Sequence, residues 1–450
     1  MLTKHLTGLV QLRSIQAQIS RLVDGFAASG SSLSTLDEYG SPGALPKQHP
    51  NLVTIATLAN QLQALCLGER FALTKSLDFH VSSSLRVAME ARVAETLREA
   101  GRPLSAVEIA KSSSIEPNQL TQVLRLLAAN HIFRETKPGV FDRNIGSSAL
   151  DTGKSLRSIE ENPSDIYSDA GALAAMMLVF TDEGFKASSL AAEQVLSKKT
   201  DQSEQTTTAF SRSHSGYSFY DYFAREGNEE RRIRFANAMR GLPQLQSSDG
   251  ETILKGFPWS ELPKGSTVVD VAGGMGQVSL AIAEAAPLLN FVVQDRQEVI
   301  EGDASHFWKS STSPEVQTRV QLQPHDIFAT QPIKGASAYF LRYIIHNWPE
   351  SACTAILQRL ADAASPESKL VLIEVAIDEL SPPHRFPTST LSYLLDVQMM
   401  VFFNAQERTE RQYRELGRKA GWELIKTWKT GKGGQDGPFR HYEFARMSKK

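Results

Sequence analysis

The stretch from Ser266 to Asp295, STVVDVAGGMGQVSLAIAEAAPLLNFVVQD, constrains the fold of this chain more than any other. It begins with a β-branched run that ends on Asp270, which is typical of a buried parallel strand. Glycines follow, then a segment with helical apolar spacing, and then a second apolar run that closes on Asp295. This order of strand, glycine turn, helix, strand and acid is typical of a nucleotide-binding βαβ unit. An acid at the position of Asp295 can accept hydrogen bonds from both hydroxyls of a ribose.

The glycine turn fits one ligand pattern better than another. In the NAD template G-x-G-x-x-G, Gly274 and Gly276 occupy the first two positions, but the third is Ser279. The other template has an acid at the end of the first strand and then a glycine cluster, as in DVAGGMG from Asp270 to Gly276. This is the S-adenosylmethionine (SAM) pattern, in which Asp270 and the turn of Gly273, Gly274 and Gly276 hold the methionine part of the ligand. A glycine-rich turn with a structural role alone is the remaining alternative.

The size and composition of the chain are those of an ordinary multidomain globular protein. Its 450 residues predict two to three domains. The net charge of −2 provides no overall field for nucleic acid or for an anionic membrane. No apolar run approaches the roughly 18 residues of a membrane span, and residues 1–20 lack the apolar core of a signal peptide. Because only two cysteines are present, Cys66 and Cys353, we expect a cytosolic protein without a disulfide framework.

The first 80 residues are predicted to be helices and a linker. Residues 1–28 have helical periodicity, and a second helix is expected from about Leu52 to Leu67. Between them, residues 29–50 are rich in Ser, Gly and Pro, which predicts a mobile linker.

A winged-helix domain is predicted for residues 81–150. The expected elements are a helix ending near Gly101, a capping box of Ser105 and Glu108, a third helix with Leu120, Val123, Leu124 and Leu127 inward, and a hairpin around Pro138 and Gly139. Winged helices often bind DNA, but the third helix carries one basic side chain, Arg125. We therefore expect a scaffold or dimerisation role, with a nucleic-acid or regulatory protein as the alternative.

Residues 151–250 are predicted to be mostly helical and to contribute to substrate binding. Two apolar groups stand out, the run at residues 172–180 and an aromatic cluster of Tyr217, Phe219, Tyr220, Tyr222 and Phe223. Most of these side chains are expected in the core, and a minority could line a pocket for a flat organic substrate.

From residue 251 to 450, strands and helices alternate, which predicts an α/β fold with a doubly wound parallel sheet. After the βαβ unit, the expected elements are strands Val320–Leu322, Ala338–Leu341 and Lys369–Val375, helices Ser351–Ala364 and Glu407–Ala420, and a hairpin of Glu423–Trp428 and His441–Ala445 around the turn GKGGQDG. The hairpin would add an antiparallel edge. A ligand is expected at the carboxyl ends of the parallel strands.

The polar residues that could carry chemistry lie at or just beyond these strand ends. They are Asp295, Asp326, Arg342, His346 and Glu374, with Glu407 at the start of the last helix. His346 could instead be a structural histidine at a helix start, and Glu407 a capping acid worth roughly 0.3–1 kcal/mol. Glu374 lies in the apolar run LVLIEVAI, where an ionised group rarely occurs without a partner.

Six motifs occur in the order and spacing of the plant and fungal small-molecule O-methyltransferases. They are DVAGGMGQ, FVVQDR, PHDIF, YFLRYIIHNWPE, VLIEVAI and NAQERTERQYRELGRKAGW. The chain resembles this family, which includes the caffeic acid type and the fungal sterigmatocystin type, over roughly residues 85–447. The resemblance implies a Rossmann-like class I methyltransferase sheet behind the family's winged-helix dimerisation domain, and a homodimer.

On the cofactor side, the resemblance implies a role for each matched residue. The Gly273–Gly276 turn holds SAM, Asp295 binds the ribose hydroxyls, Asp326 with Ile327 flanks the adenine, and Arg342 is the basic residue near the cofactor. The family's first turn glycine is Ala272 here, which is a mild change for the cofactor.

On the substrate side, the resemblance implies that His346 is the general base, flanked by Glu374 and Glu407. Methyl transfer from a sulfonium is an in-line displacement, so the enzyme must align the acceptor and remove one proton. A phenol has a pKa of ~10 and histidine one of ~6.5, so complete deprotonation beforehand is uphill by roughly 5 kcal/mol. The base must therefore act as the methyl group moves, and a carboxylate partner would raise its basicity. No cluster of metal ligands is evident.

Tyr343 and Asn347 stand where the family often has Trp and Asp. These two differences alter the side of the site that would contact the substrate.

The leading hypothesis is a SAM-dependent O-methyltransferase that acts on a phenol or enol of an aromatic or polyketide-like metabolite. The alternative is a pericyclase or dehydratase of the same fold, in which SAM is a bound, unconsumed cation. Arg342 and His346 would then polarise a substrate carbonyl. The presence of His346, Glu374 and Glu407 together favours methyl transfer.

Overall fold

The structure, a computed structural model, describes residues 2–43, 49–113, 115–197, 208–245, 250–377, 391–429 and 439–448. These residues form two compact units. The first unit lies within residues 1–191 and 212–247, and the second within residues 192–211, 248–386 and 391–450. The division into segments 1–80, 81–150, 151–250 and 251–450 stays a prediction. The GKGGQDG turn lies outside the described residues.

The first unit is mainly helical. Its α-helices are Leu2–Ala28, Pro50–Leu67, Glu69–Ser76, Phe79–Glu90, Val93–Ala100, Ala106–Ser113, Pro117–Ala129, Ile145–Ser148, Leu156–Glu161, Ala172–Val179, Phe185–Ser188, Phe219–Ala224 and Glu229–Leu245. Apolar residues at three- and four-residue spacing form a common core, as expected for amphipathic helices. Leu120, Leu124 and Leu127 of the predicted third helix are completely buried, and Val123 packs against them.

A small antiparallel sheet accompanies these helices. Its strands are β1 (Leu104–Ser105), β2 (Arg134–Lys137) and β3 (Val140–Asp142), in the order β1-β3-β2. The predicted hairpin is therefore confirmed, as is the capping box, in which Glu108 Oε2 accepts the Ser105 N–H at 2.8 Å. Arg125, the basic residue of the third helix, pairs with Glu135 at 3.0 Å. The elements have the predicted order, and the winged-helix designation stays a prediction.

The helix that was expected to end near Gly101 is interrupted. Two helices, Phe79–Glu90 and Val93–Ala100, meet at Arg92, whose φ is 55°. The Arg92 side chain donates to the carbonyl of Met89 at 3.2 Å and so bonds to the end of the preceding helix. The continuous apolar periodicity of this region contains no breaker residue, so the sequence does not reveal the interruption.

Residues 29–43, the first part of the segment predicted as a mobile linker, are irregular but bonded to the helical core. Residues 29–43 contain no helix or strand. Near its end, the hydroxyl of Tyr39 donates to Asp142 Oδ2 at 2.7 Å, and the N–H of Gly40 donates to Ser148 Oγ at 3.0 Å. These bonds hold this part of the segment against the helical core.

A buried ionic cluster lies where the helix Ala172–Val179 passes into a π-helical turn at Phe180–Gly184. Asp182 and Glu183 in this turn are completely buried. The basic side chains around them are Arg86, Lys186, Arg231 and Arg234. Burial alone would raise the pKa of Asp182, but its bonds to Lys186 and Arg231 hold that pKa well below the usual range. The surrounding basic side chains therefore compensate the charges of two acids that are buried at the end of an apolar helix.

The second unit is built on a seven-stranded sheet. Its strands are β4 (Thr267–Val271), β5 (Asn290–Asp295), β6 (Val320–Pro324), β7 (Ala338–Arg342), β8 (Lys369–Val375), β9 (Trp422–Lys429) and β10 (Phe439–Arg446). The order is β6-β5-β4-β7-β8-β10-β9, in which the first five strands are parallel and the last two antiparallel. The predicted doubly wound sheet with an antiparallel edge is confirmed.

Helices pack on both faces of this sheet. The helices with side chains in the two cores of the sheet are Gly250–Lys255, Gln277–Ala285, Ser305–Ser311, Pro314–Gln317, Glu350–Ala363 and Glu410–Lys419. The remaining helices in this part of the chain are Ala191–Val195, Ala209–Ser213, Gln297–Val299 and Leu391–Phe403. Successive residues of β7 serve different cores, Tyr339 on one face and Phe340 on the other, as the alternation of a strand requires. Among the described helices of either unit, none combines the length and apolar character needed to cross a membrane.

The last helix begins later than predicted. It starts at Glu410 with Thr409 as its N-cap, whereas the sequence pattern placed Glu407 at its first residue. Glu407 instead lies in the preceding loop, where Arg408 pairs with Ala376 in a parallel bridge beside the end of β8. Pairing with the sheet competes with the helical pattern here, and it brings Glu407 to the strand end.

Candidate active site

The glycine turn after β4 is shaped by contacts that leave little room for side chains. A Cβ on Gly273 would lie 2.3 Å from Cγ of Asp270, and one on Gly276 would lie 2.9 Å from Nε1 of Trp308. Gly276 also has a φ of 83°, which glycine adopts at low cost. Beside Gly274, in contrast, no heavy atom of the described residues outside its chain neighbours lies within 4 Å of the Cβ position. The turn is therefore open on one side, where a ligand can approach its backbone.

Ala272 occupies the position of the family's first turn glycine. Its φ is 58°, in the left-handed region that costs a residue with a Cβ roughly 1 kcal/mol or more. The turn therefore accepts alanine at a backbone conformation that favours glycine.

Asp270 lies beneath this turn and is only 2% exposed. Its Oδ2 accepts a hydrogen bond from the hydroxyl of Ser279 at 2.7 Å. Burial raises the pKa of Asp270 to about 7, while the Ser279 hydrogen bond and the charge of Arg342 oppose the shift. Ser279, which breaks the NAD template, is thus the partner of the acid that defines the SAM template.

The other residues predicted for the cofactor lie along the carboxyl edge of the sheet. Asp295 ends β5, and its Oδ2 accepts the N–H of Gly274 at 2.8 Å. Burial raises the pKa of Asp295, although backbone hydrogen bonds oppose this. Asp326 follows β6, is exposed, and accepts the N–H of Phe328 at 2.9 Å, while Ile327 packs against the core. An acid beside an open glycine turn is the arrangement that a nucleoside requires, so these residues fit SAM.

The structure brings His346, Glu374 and Glu407 together in a buried cluster of the second unit. Nδ1 of His346 lies 2.7 Å from Oε1 of Glu407 and 3.8 Å from Oε2 of Glu374. Both acid side chains are completely buried, and the His346 side chain is 10% exposed. Because Nδ1 is engaged by Glu407, Nε2 is the nitrogen available to a substrate.

Three separate elements deliver these side chains. His346 lies in a 3₁₀ turn, Ile345–Asn347, directly after β7. Glu374 is near the end of β8, and its Oε1 accepts the N–H groups of Ile344 at 3.2 Å and Ile345 at 2.8 Å. Glu407 arrives on the loop that bridges to the end of β8. The partner predicted for the buried Glu374 is thus the backbone of the turn that holds His346.

The electrostatics of the cluster favour a protonated imidazole. Burial disfavours the charged ring, but the carboxylates of Glu407 and Glu374 outweigh it and raise the pKa of His346 to about 9. Burial also raises the pKa of Glu374 to about 7, although the nearby His346 opposes the shift. His346 is therefore a stronger base than histidine in water.

Of the two departures from the family on the substrate side, Asn347 ends the turn that holds His346, and Tyr343 lies just before it. The Asn347 side-chain amide donates to the carbonyl of Tyr343 at 2.9 Å, which an aspartate carboxylate could not do. The Tyr343 ring stacks on that of His346 with centroids 5.6 Å apart, and the guanidinium of Arg342 lies 4.3 Å from the Tyr343 centroid. Contact of either residue with a substrate stays a prediction.

Two residues that support the site were not predicted. Arg408 is 2% exposed and donates to the carbonyls of Ile345 and Trp348, both at 2.9 Å, on either side of His346 in the sequence. Asp396 accepts the N–H of Glu407 at 2.8 Å. The only signal for Arg408 in the sequence is its place next to Glu407, because burial of an arginine follows from tertiary packing.

The same three side chains could also form a ligand set for a metal ion. Ligand atoms of His346, Glu374 and Glu407 all lie within 4.8 Å of one another, so the expectation that the chain has no such cluster needs correction. The 2.7 Å contact between His346 and Glu407 is a hydrogen bond. Two ligands of a tetrahedral zinc ion would be roughly 3.3 Å apart. The arrangement present is therefore that of an imidazole hydrogen-bonded to a carboxylate.

Comparison with known proteins also identifies methyltransferase domains in this chain. The profile of the O-methyltransferase domain matches residues 191–423, and that of the O-methyltransferase dimerisation domain matches residues 73–150. An O-methyltransferase of Armillaria gallica is 35% identical over 399 residues, which cover 82% of this chain and 83% of the relative.

Two solved structures share the fold over nearly the whole chain. OxaC in complex with S-adenosylhomocysteine (SAH) and oxaline has a TM-score of 0.72 at 21% identity and covers 97% of this chain and 100% of that chain. A structure described as a pericyclic reaction enzyme has a TM-score of 0.68 at 19% identity and covers 98% of this chain and 100% of that chain. At these identities the likeness extends to the fold alone.

The sheet order, the open glycine turn and the acid at the end of β5 define a class I methyltransferase fold that uses SAM. The chain belongs to the O-methyltransferase family, since the domain profile matches more than half of its length. It is a SAM-dependent O-methyltransferase with the family's dimerisation domain.

Proposed function

We propose that this enzyme methylates a phenolic or enolic hydroxyl of an aromatic or polyketide-like metabolite, with His346 as the general base. The buried cluster of His346 with two carboxylates is the observation that carries the proposal. The dimerisation-domain match supports a homodimer as the working form. A cytosolic location, expected from the two cysteines, is part of the same proposal.

The basicity of His346 matches the task of accepting a phenol proton. Against an ordinary histidine, a phenol with a pKa of ~10 gives up its proton at a cost of roughly 5 kcal/mol. With the pKa of His346 raised to about 9, the gap narrows to one pKa unit, or about 1.4 kcal/mol. Proton removal during methyl transfer then needs little further assistance.

The hydrogen bond at Nδ1 decides how the base would work. Because Glu407 Oε1 holds Nδ1 at 2.7 Å, the neutral ring keeps its proton there and presents an unprotonated Nε2. A hydroxyl bound within hydrogen-bond distance of Nε2 can pass its proton to that nitrogen. The imidazolium that forms lies between Glu407 and Glu374, which compensate its charge.

Residues of the carboxyl edge would hold the cofactor. When bound, SAM supplies an electrophilic methyl group on a sulfonium. The proposed partners are the Gly273–Gly276 turn above Asp270, Asp295 for the ribose, and Asp326 with Ile327 for the adenine. The charge of Arg342, which acts on Asp270, supports its assignment to the same side of the site.

The test measures product mass and SAH together. The enzyme is incubated with SAM and a panel of phenols, catechols and enolised diketones, beginning with caffeic acid. We expect a mass gain of one methylene and one equivalent of SAH. An isomerised or dehydrated product without SAH would replace methyl transfer by the pericyclase alternative, in which Arg342 and His346 polarise a carbonyl.

The base assignment is tested with His346→Ala. This variant should lose methylation by a factor of roughly 100 or more while its SAH affinity, measured by calorimetry, stays within twofold of wild type. His306→Ala, on an exposed histidine of the same unit, is the matched control and should behave as wild type. If His346→Ala methylates at the wild-type rate, His346 is not the base.

A further inference from the structure

The loop after β6, residues 325–333, carries Asp326 and Ile327 and is joined to the sheet by a buried pair of amides. Gln294 of β5 and Gln331 of the loop are each 1% exposed. Nε2 of Gln331 donates to Oε1 of Gln294 at 2.8 Å, and Nε2 of Gln294 donates to Oε1 of Gln331 at 2.9 Å. Each amide therefore serves the other as both donor and acceptor.

Neighbouring groups form further hydrogen bonds with this amide pair. Nε2 of Gln294 also donates to Oε1 of Gln323 at 2.7 Å, and Oε1 of Gln331 also accepts the N–H of Ile333 at 3.1 Å. In a buried network whose members are all bonded, any shift of the loop breaks several bonds at once. Apolar side chains would fill the same space, but they would not fix the register between the loop and the strand.

The amide pair connects the ribose side of the proposed cofactor site with its adenine side. Gln294 directly precedes Asp295, whose carboxylate accepts the N–H of Gly274. The N–H of His325 donates to the carbonyl of Asp295 at 2.8 Å, so the loop leaves the sheet next to that acid. Asp326 follows at once. The position of the loop relative to β5 thus sets the separation of Asp295 and Asp326.

We infer that Gln331, through its amide pair with Gln294, is a positioning residue that sets the affinity of the enzyme for the adenosyl group of SAM. The inference rests on the proposed roles of Asp326 and Ile327 at the adenine. It does not depend on His346 as the base.

Other contacts keep the loop attached to the unit when the amide pair is removed. The hydroxyl of Tyr339 donates to the carbonyl of Ile333 at 2.7 Å. The Phe328 ring meets that of Trp348 edge-on, with centroids 4.8 Å apart. A change at Gln331 should therefore loosen the loop that carries Asp326 and Ile327 while the unit stays folded.

Calorimetric titration with SAH tests the inference, because it does not require turnover. Gln331→Leu removes every bond of the amide, and Gln331→Glu keeps the acceptor for Ile333 but loses the donor to Gln294. In both variants we expect the Kd for SAH to rise about tenfold. The kcat at saturating SAM and the KM for the acceptor should stay within twofold. Gln297→Ala, on an exposed glutamine of the same unit, should leave all three constants unchanged.

The double variant Gln294→Leu/Gln331→Leu covers the case in which a single change unfolds the protein. Replacing both buried partners is less destabilising than leaving one unpaired, and the Kd for SAH should still be raised. Wild-type affinity in a folded Gln331 variant or in the double variant would overturn the inference. A fall in kcat without a change in Kd would also overturn it. Failure of the wild-type enzyme to bind SAH would instead refute the cofactor assignment on which the proposed function depends.

Discussion

Replacing Glu407 by Gln keeps the shape of the side chain but removes the charge that contributes most to raising the pKa of His346. With that pKa at about 9 in the wild type, only about 1% of the imidazole is neutral at pH 7. In the proposed mechanism only the neutral ring accepts the substrate proton, so kcat should rise about tenfold per pH unit from pH 7 to 8 and level off above about pH 9.

The magnitude of the change follows from the hydrogen bond at Nδ1. A hydrogen bond to a charged group contributes roughly 1.5–3 kcal/mol, which corresponds to about one to two pKa units. In Glu407→Gln the rising limb of kcat should therefore move to about pH 7–8. The weaker base also makes proton transfer less favourable, so the plateau of kcat should fall. The ratio of variant to wild-type kcat should accordingly be highest at low pH and decrease as the pH rises.

The assay follows SAH release from pH 6 to 10 with one acceptor at saturation in both enzymes. Using the same acceptor cancels its own ionisation from the ratio. Glu415→Gln, the same change at an exposed acid of the same unit, should leave the profile unchanged. Coincident inflections for Glu407→Gln and the wild type would refute the reasoning, since Glu407 would then have no influence on the basicity of His346.

Three further outcomes are expected. Arg408→Lys should lower kcat roughly 10- to 100-fold with unchanged SAH affinity, because lysine lacks the two-pronged guanidinium that donates to the carbonyls of Ile345 and Trp348 on either side of His346. Gly273→Ala should weaken SAH binding more than tenfold in calorimetry, since its Cβ would lie 2.3 Å from Cγ of Asp270. Treatment with EDTA should leave kcat unchanged, because the imidazole of His346 is already hydrogen-bonded to the carboxylate of Glu407; loss of activity that zinc restores would contradict this.

The carboxyl edge of the sheet could be predicted because its signals are local. Strand β5 and the acid that ends it, Asp295, are adjacent in the sequence, and parallel strands necessarily end at one edge. The buried position of Glu374 could be inferred for a similar reason, since its neighbours are apolar on both sides. These inferences rest on two rules. Side chains alternate between the two faces of a strand, and a buried charge without a partner is energetically costly.

What the sequence could not reveal depends on contacts between distant segments. The predicted start of the last helix is wrong because Arg408 pairs with Ala376. Local helix propensity does not indicate a bridge between such distant segments. The amide pair of Gln294 and Gln331 joins two polar residues that would each be assigned to the surface from sequence alone. Asn347 was recognised only as a departure from the family pattern. Its bond to the carbonyl of Tyr343 gives that departure a physical reason.

The charges of the site favour the state that follows proton transfer. While His346 is neutral, the charges of Glu374 and Glu407 have no opposite charge on the ring to balance them. Once the ring is protonated, its charge lies 3.8 Å from Glu374 and 2.7 Å from Glu407, and each ionised partner attracts it by roughly 4 kcal/mol or more at an effective dielectric constant of about 20. In the proposed mechanism this attraction develops only as the proton moves, so it would lower the barrier without tightening the binding of the substrate. For this reason the loss in Glu407→Gln is expected in the kcat plateau, and the KM for the acceptor should stay nearly constant.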